Sequence, residues 1–300
     1  MIVDNKFGYP NAIVEAAQDI LSKEHNEDGC VSATTLLRGA KETILTHRHF
    51  NEIHVDVDSV MDSMRGTAFH EFLSHYDQKN FTETKFSYGV EGMTVTGTLD
   101  VYNEELRLIQ DYKNCKVWKV VMHDFDEWKK QGLIYAWLLS KNGHKANKLS
   151  FYAFFEDWSP SQAKADNNYP QCKMYVYSDS ISENDIKGIE AFVHTKVKYL
   201  NDCNKLDDDD IPECSESERW KTETVYAVYK NQNKTATKLF HSSSFNSEKE
   251  AYDAAEIFAD SLDDAKTTTR IEERLGESKK CERYCVCKEF CSFYKKNHKE

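Results

Sequence analysis

Three hundred residues, 40% hydrophobic and 12% aromatic, supply enough apolar side chain for one large domain, or one domain with a smaller appendage, and exclude wholesale disorder. A net charge of −12, from 39 basic and 51 acidic residues, excludes a nonspecific nucleic-acid coat, which needs a basic face. It leaves room for an enzyme whose acidic site reaches phosphate through a metal ion. No apolar run has membrane-span length and the opening MIVDNKFGYP lacks a signal pattern, so a soluble, cytoplasmic protein without a membrane partner is expected. In a reducing compartment the nine cysteines are not a disulfide framework.

Residues 10–24 carry a helical stripe of Ile13, Ala16, Ala17, Ile20 and Leu21. HNEDG at 25–29 breaks it. Residues 31–50 read as a second helix with Ser32 as N-cap. Its Lys41, His47 and Arg48 are either phosphate contacts or an ordinary solvated face. A third helix runs from Val57 to about His75 and contains RGTAFHEFLSH, with Phe69, Phe72 and Leu73 on its core side and His70 beside them. Gly66 inside it costs roughly 1 kcal/mol against Ala. It therefore packs closely against something or marks the true helix start.

From Thr84 to Lys113 the period changes to strands, punctuated by Gly89, Gly92, Gly97 and a turn at Asn103-Glu104-Glu105. Three strands in an antiparallel meander follow from this pattern. Asp100 closes the second strand, and Asp111 and Lys113, two apart on the third, point to one side. Residues 125–143 are a helix ended by Gly143, with Gln131 and Tyr135 on one face. A strand at 147–157, a polar loop at 158–170, a strand at 172–178 and a helix at 182–203 capped by Ser182 follow.

The run DDDDIPE at 207–213 reads as a solvated linker. The expected domains are 1–206, an acidic linker at 207–215, and a small α+β unit at 216–300. That unit holds a hairpin around Asn231-Gln232-Asn233, a helix at 247–264, a strand at 267–275 and a cysteine tail that packs back on the first domain.

Two carboxylates and an ammonium at neighbouring strand ends suit hydrolysis of a phosphodiester. Asp100 and Asp111 supply hard oxygen ligands for Mg²⁺ or Mn²⁺, Lys113 serves the water or the phosphate, and a carbonyl such as that of Tyr112 completes the shell. A lone D-x-K is weak. The ordered set GTAFH, GTLD, DYK and Q-x-x-x-Y resembles the PD-(D/E)XK nuclease superfamily, in its RecB-like branch with CRISPR-associated exonucleases and phage nucleases. Residues 32–158 carry the resemblance. It implies a restriction-endonuclease-like α/β fold, a mixed central sheet flanked by helices in the order αβββαβ. It assigns His70, Asp100 and Asp111 to metal, Asp100, Asp111 and Lys113 to catalysis, and Gln131 and Tyr135 to a supporting motif that contacts DNA. Asp111 stands where some members have Glu, and Asn114-Cys115 replaces the usual Thr-Gly.

The tail C-x₃-C-x-C-x₃-C is dense enough for a soft-metal site. Some RecB-like nucleases hold a [4Fe–4S] cluster on a C-x₂-C-x₅-C tail and one distant cysteine. Here Cys285 to Cys291 keeps the x₅ gap and Cys281 to Cys285 is one residue longer. The expected ligands are Cys281, Cys285 and Cys291 with Cys214, for a cluster or for Zn²⁺. Cys30 is an alternative fourth ligand, and Cys287 is set aside because its ring with Cys285 is tight. Cys115, Cys172 and Cys203 read as ordinary thiols. Trp118 is the best candidate for stacking on bases and Trp137 belongs to the core. Lys116, Lys119, Lys129 and Lys130 are candidate DNA contacts.

The expected function is a metal-dependent DNA exonuclease acting on single strands or duplex ends in phage or prokaryotic recombination, replication or repair, with a recombination or helicase partner. A catalytically idle DNA-binding scaffold is the alternative, and a site-specific endonuclease ranks third.

Overall fold

The computed structural model describes residues 1–23, 28–76, 80–231, 234–237, 244–260 and 268–298. The chain forms two compact units, one of residues 1–213 with 289–300 and one of residues 214–288. The first unit opens with β1 (Ile2–Asp4), α1 (Asn11–Lys23), β2 (Cys30–Ser32), α2 (Ala33–Leu36), α3 (Ala40–Arg48), β3 (His54–Asp56) and α4 (Val57–Ser74). A meander of β4 (Phe81–Val90), β5 (Met93–Asn103) and β6 (Leu108–Cys115) follows. Then come α5 (Val117–Val121), α6 (Asp126–Lys141), β7 (Lys148–Phe155), α7 (Pro160–Ala165), β8 (Met174–Ser180) and α8 (Glu183–Cys203).

The main sheet of the described residues is mixed, with six strands. β4 pairs antiparallel with β5 from end to end, through a two-residue turn at Glu91 (φ 47°) and Gly92 (φ 82°) that has the twist a tight hairpin requires. The opposite edge of β5 is divided. β2 pairs in parallel with Thr94–Thr96, and β6 pairs antiparallel with Val101–Asn103. Gly97–Asp100 lies between these partners. β7 then pairs parallel to β6, which demands a crossover, and α6 is that crossover. β8 closes the sheet antiparallel to β7. The αβββαβ order is thus α4, β4, β5, β6, α6, β7.

The middle of α6 is buried on all sides because it lies between the sheet and α8. Ile134, Trp137, Leu138 and Leu139 are fully buried. Two glycines let it approach. A Cβ on Gly97 would sit 2.8 Å from Leu138 Cδ1, and one on Gly132 would sit 2.9 Å from Leu149. α8 has the expected cap as a full capping box between Ser182 and Asp185. Its buried stripe of Ile189, Val193, Val197 and Leu200 recurs every three or four residues.

Several expectations about the elements are corrected. The helix expected over 31–50 is a short strand and two helices. Ser32 caps α2 by accepting from the Thr35 N–H, and extended backbone at Gly39 (ψ 144°) starts α3. Gly66 neither packs closely nor starts α4: it lies mid-helix, and a Cβ there would meet nothing within 4 Å. Phe72 is not on the core side; it is 58% exposed. Asp100 does not close its strand, because β5 continues to Asn103. The loop at 158–170 contains α7, with Ser159 as N-cap and Pro160 in the first turn.

The acidic run is not a solvated tether. Asp208 is 2.6 Å from Arg48 and 2.7 Å from His49, and Ile211 is buried. Lys41, read as a phosphate contact or a solvated residue, is 1% exposed. It donates to the carbonyl oxygens of Asp209 (3.5 Å) and Ile211 (2.8 Å) and to Ser292 Oγ (2.8 Å). His47 lies 3.1 Å from Asp28.

The second unit contains β9 (Val225–Lys230), β10 (Ser244–Phe245), α9 (Glu248–Asp260), β11 (Thr269–Arg274) and α10 (Lys279–Arg283). β9 is the middle strand, and α9 covers it with Ala251, Ala254 and Ala255 on Val228. Residues 232 and 233 of the expected turn, 238–242 of the expected hairpin, most of the break at 25–29, and the helix end at 261–264 lie outside the described residues. The chain ends in α11 (Ser292–Asn297), part of the first unit. Among the described residues no helix is long and apolar enough to cross a membrane.

Candidate metal centre

The site forms where β5 and β6 part. Their ladder covers only Val101–Asn103 against Leu108–Gln110. Beyond it, Asp100 Oδ2 accepts the Tyr112 N–H at 2.7 Å, so a side chain takes the place of a strand partner. Asp100 and Asp111 are therefore both buried at the point of divergence, 9% and 2% exposed. α4 brings His70 over the gap. Its Nδ1 is 3.3 Å from Asp100 Oδ1, and its Nε2 is 3.0 Å from the Tyr112 carbonyl oxygen. Both nitrogens face acceptors, and the hydrogen bond to Asp100 raises the His70 pKa against the opposing effect of burial.

Glu83 on β4 joins this group and was not singled out from sequence. It sits across from Asp100, between the pairs Thr82–Val101 and Thr84–Leu99, with φ 46°. Its Oε1 is 3.8 Å from His70 Nδ1, and ligand atoms of His70, Glu83 and Asp100 all lie within 4.8 Å of one another. Burial, then the Asp100 charge, raises the Glu83 pKa. A glutamate in a run of threonines gives no sequence signal of this. Only the meander register places it opposite Asp100.

Lys113 Nζ is 2.7 Å from Asp111 Oδ1 and donates to Gln131 Oε1 at 3.0 Å. The approach to Asp111 lacks hydrogen-bonding geometry, so Oδ1 is buried with no hydrogen-bond partner. Burial pushes the Asp111 carboxyl up to about 6 despite the neighbouring ammonium. Gln131 Nε2 in turn donates to Tyr135 Oη at 2.7 Å. Burial raises the Tyr135 pKa, which keeps the phenol neutral. The Lys113 ammonium, which only donates, holds the Gln131 oxygen toward itself and leaves the amide nitrogen to Tyr135.

These residues fit a hard divalent cation. His70, Glu83 and Asp100 offer two carboxylates and one imidazole whose ligand atoms lie together, with Asp111, ion-paired to Lys113, buried beside them.

The remaining candidates are not gathered here. Lys116 is exposed at the N-cap of α5, and Trp118 in that helix is 66% exposed. Lys119 pairs with Asp124 at 2.9 Å and Lys129 with Asp179 at 2.6 Å, while Lys130 lies over the Phe192 ring. Trp137 is fully buried. Of the cysteines, Cys291 lies in the first unit as N-cap of α11, and Cys214, Cys281, Cys285 and Cys287 lie in the second. Cys287 is buried and its sulfur is 3.6 Å from that of Cys285, so the short ring is no obstacle to the two thiols converging. Cys30 opens β2.

No family model matches the chain, and no curated protein matches it. Similar solved structures include SSO0001 (16% identity, TM-score 0.44, covering 61% of this chain and 84% of that one). A phage-related exonuclease from Haemophilus somnus 129PT aligns at 12% identity and TM-score 0.38, over 61% of this chain and 97% of that one. An alkaline exonuclease from Laribacter hongkongensis aligns at 9% identity and TM-score 0.38, over 63% and 94%.

Proposed function

We propose that the chain is a nuclease that hydrolyses DNA phosphodiester bonds with a divalent cation, Mg²⁺ or Mn²⁺, and that it works from DNA ends. The observation that carries this reading is the convergence of His70, Glu83, Asp100, Asp111 and Lys113 at the parting of β5 and β6. Asp100 and Asp111, with the Tyr112 carbonyl, His70 and Glu83 around them, would hold the cation. The bound cation supplies a Lewis acid at the scissile phosphate.

The chain's own groups do the rest. Lys113, held by Gln131, directs its ammonium beside the buried Asp111 oxygen. There it orients the attacking water or neutralises charge developing on the phosphate. Gln131 cannot turn over, because the Lys113 ammonium only donates and needs the amide oxygen on its side. A ring nitrogen of His70 can ligate only when it carries no proton, so cation binding is coupled to pH. Lys116 and Trp118, exposed just past β6, would meet the substrate strand.

The thiols of the tail are proposed to hold a soft metal or an iron–sulfur cluster. Support comes from the Cys285–Cys287 separation of 3.6 Å, near the roughly 3.8 Å spanned by two thiolates on one tetrahedral zinc. A role in phage or prokaryotic recombination, replication or repair follows from the same reading.

The test uses end-labelled single- and double-stranded DNA, with a closed circular substrate beside them. Wild type with Mg²⁺ or Mn²⁺ is expected to degrade the open forms and spare the circle. Lys113→Ala and Asp111→Ala are expected to lose about 10²-fold or more. Variants that cut as fast as wild type, or a wild type that cuts nothing, would sink the proposal.

A further inference from the structure

The second unit presents two aromatic rings that its core does not use. Residues 215–221 close as a single turn with the bonding of a helix C-terminus. The Trp220 N–H donates to the Ser217 carbonyl oxygen at 3.1 Å, and the Lys221 N–H donates to that of Glu216 at 2.9 Å. This pair of bonds puts the residue at the exit of the turn in the left-handed region, and Trp220 has φ 52°. Glycine suits that position because it has no Cβ to crowd the backbone. The chain places an indole there instead. Burial does not fully offset the strain, since Trp220 is 48% exposed.

The turn is fixed against α10. The Lys280 N–H donates to the Arg219 carbonyl oxygen at 3.1 Å and the Thr222 N–H to that of Glu277 at 3.0 Å, while Lys221 bridges antiparallel to Ser278. Tyr284, the C-cap of α10, is 63% exposed and brings its ring to 5.3 Å from that of Trp220, tilted by 58°. Lys280 stands over the indole, with Nζ 5.6 Å from the ring centroid. Two rings and an ammonium are thus held in place by backbone bonds before any ligand arrives. Strained residues of this kind concentrate at ligand clamps.

The chemistry of the group selects the ligand. Exposed rings take the faces of nucleobases whatever their sequence, and an adjacent cation takes the phosphate. Around the rings, Lys221 is matched by Glu216 at 3.1 Å and Arg283 by Glu277 at 3.3 Å. Lys279 and Lys280, at the start of α10, are the cations nearest in sequence to the platform that carry no carboxylate pair of this kind in its helix. We propose that Trp220 and Tyr284 form a stacking platform for single-stranded nucleic acid, with Lys279 and Lys280 meeting its phosphates. A phosphate draws the Lys280 ammonium off the indole, and a base takes its place over the ring. The platform uses none of the metal centre's residues, so it stands or falls apart from the nuclease reading.

Photo-cross-linking tests it. The full chain, carrying Lys113→Ala so that the probe stays intact, is irradiated with a single-stranded oligodeoxythymidylate containing 5-iodouracil, and adducts are mapped by peptide mass spectrometry. Adducts at Trp220 or Tyr284 are expected. In fluorescence anisotropy with the same strand, Trp220→Ala and Tyr284→Ala should each weaken binding about fivefold or more, and an abasic strand of equal length should bind the parent chain more weakly by a similar factor. Trp220→Gly should lose the same affinity as Trp220→Ala, and its melting curve confirms that the fold survives, since glycine suits the turn. Adducts found only outside the second unit, Trp220 variants that bind as tightly as the parent, or an abasic strand that binds equally would each overturn the platform. None of these readouts requires cleavage, so a chain that cuts nothing sinks the nuclease reading alone.

Discussion

Glu83 is held at φ 46° although it is not glycine, and a residue so placed costs about 1–2 kcal/mol. Glu83→Gly should therefore raise thermal stability by about 1 kcal/mol in metal-free buffer while lowering cation affinity, and Glu83→Gln should lower affinity alone. Calorimetric titration of Mn²⁺ beside melting curves measures both, and a Glu83→Gly variant no more stable than wild type would contradict the strain. Asp111 carries a related prediction. Its carboxyl titrates near 6 in the fold against an ordinary 3.8, so the folded chain binds the extra proton between those values. Stability without metal must then fall as pH rises through that window, by up to roughly 3 kcal/mol. Asp111→Asn escapes the penalty. It should be the more stable protein at pH 8 in chelator, with the gap closing toward pH 4, as denaturant midpoints would report. A gap that stays constant with pH would rule this out.

At the scale of elements, the site depends on how closely α6 lies on β5. Gly97 leaves no room for a methyl group, since a Cβ there meets Leu138 and the Tyr135 ring at 2.8–2.9 Å. Gly97→Ala should cost about 1–3 kcal/mol and shift the helix that carries Gln131. The expected result is a lower melting temperature together with lost nuclease rate at unchanged cation affinity. An Ala variant with full activity would show that the helix gives way without disturbing Lys113. Much of this geometry was legible in the chain. Period-two alternation from Thr84 and the apolar helix after Phe125 pointed to the meander and crossover, while Asp100, Asp111, Lys113, Gln131 and Tyr135 were singled out by the ordered motif set and the resemblance it carries. Glu83 was not legible, because its role is a matter of register across β4 and β5. The break at Gly39 was missed because both halves of 31–50 keep helical spacing and only an extended dihedral separates them.

For the whole molecule, the acidic run at 207–213 is the informative surprise. Four successive aspartates looked like a tether because like charges repel in water. Arg48, His49 and the buried Lys41 supply the countercharge and donors that sequence distance concealed. Lys41 uses its ammonium on two carbonyls and a hydroxyl instead of a carboxylate. Lys41→Met keeps the stem and removes the donors, leaving buried carbonyls unsatisfied at about 1–3 kcal/mol. Limited proteolysis should then cut faster within 207–213 than in wild type. Equal cutting rates would mean the aspartate contacts alone hold the run in place.

The divided edge of β5 bears on solubility as well as on chemistry. Sheet edges without a partner are templates for strand addition by other chains, and proteins commonly guard them with lysine, proline or a bulge. The stretch Gly97–Asp100 has none of these, yet it is only the four residues between the last β2 partner and the first β6 partner. An incoming strand would need a longer run than that to pair, and β2 and β6 cap both ends. The same brevity that gives the carboxylates their opening denies a foreign strand its footing.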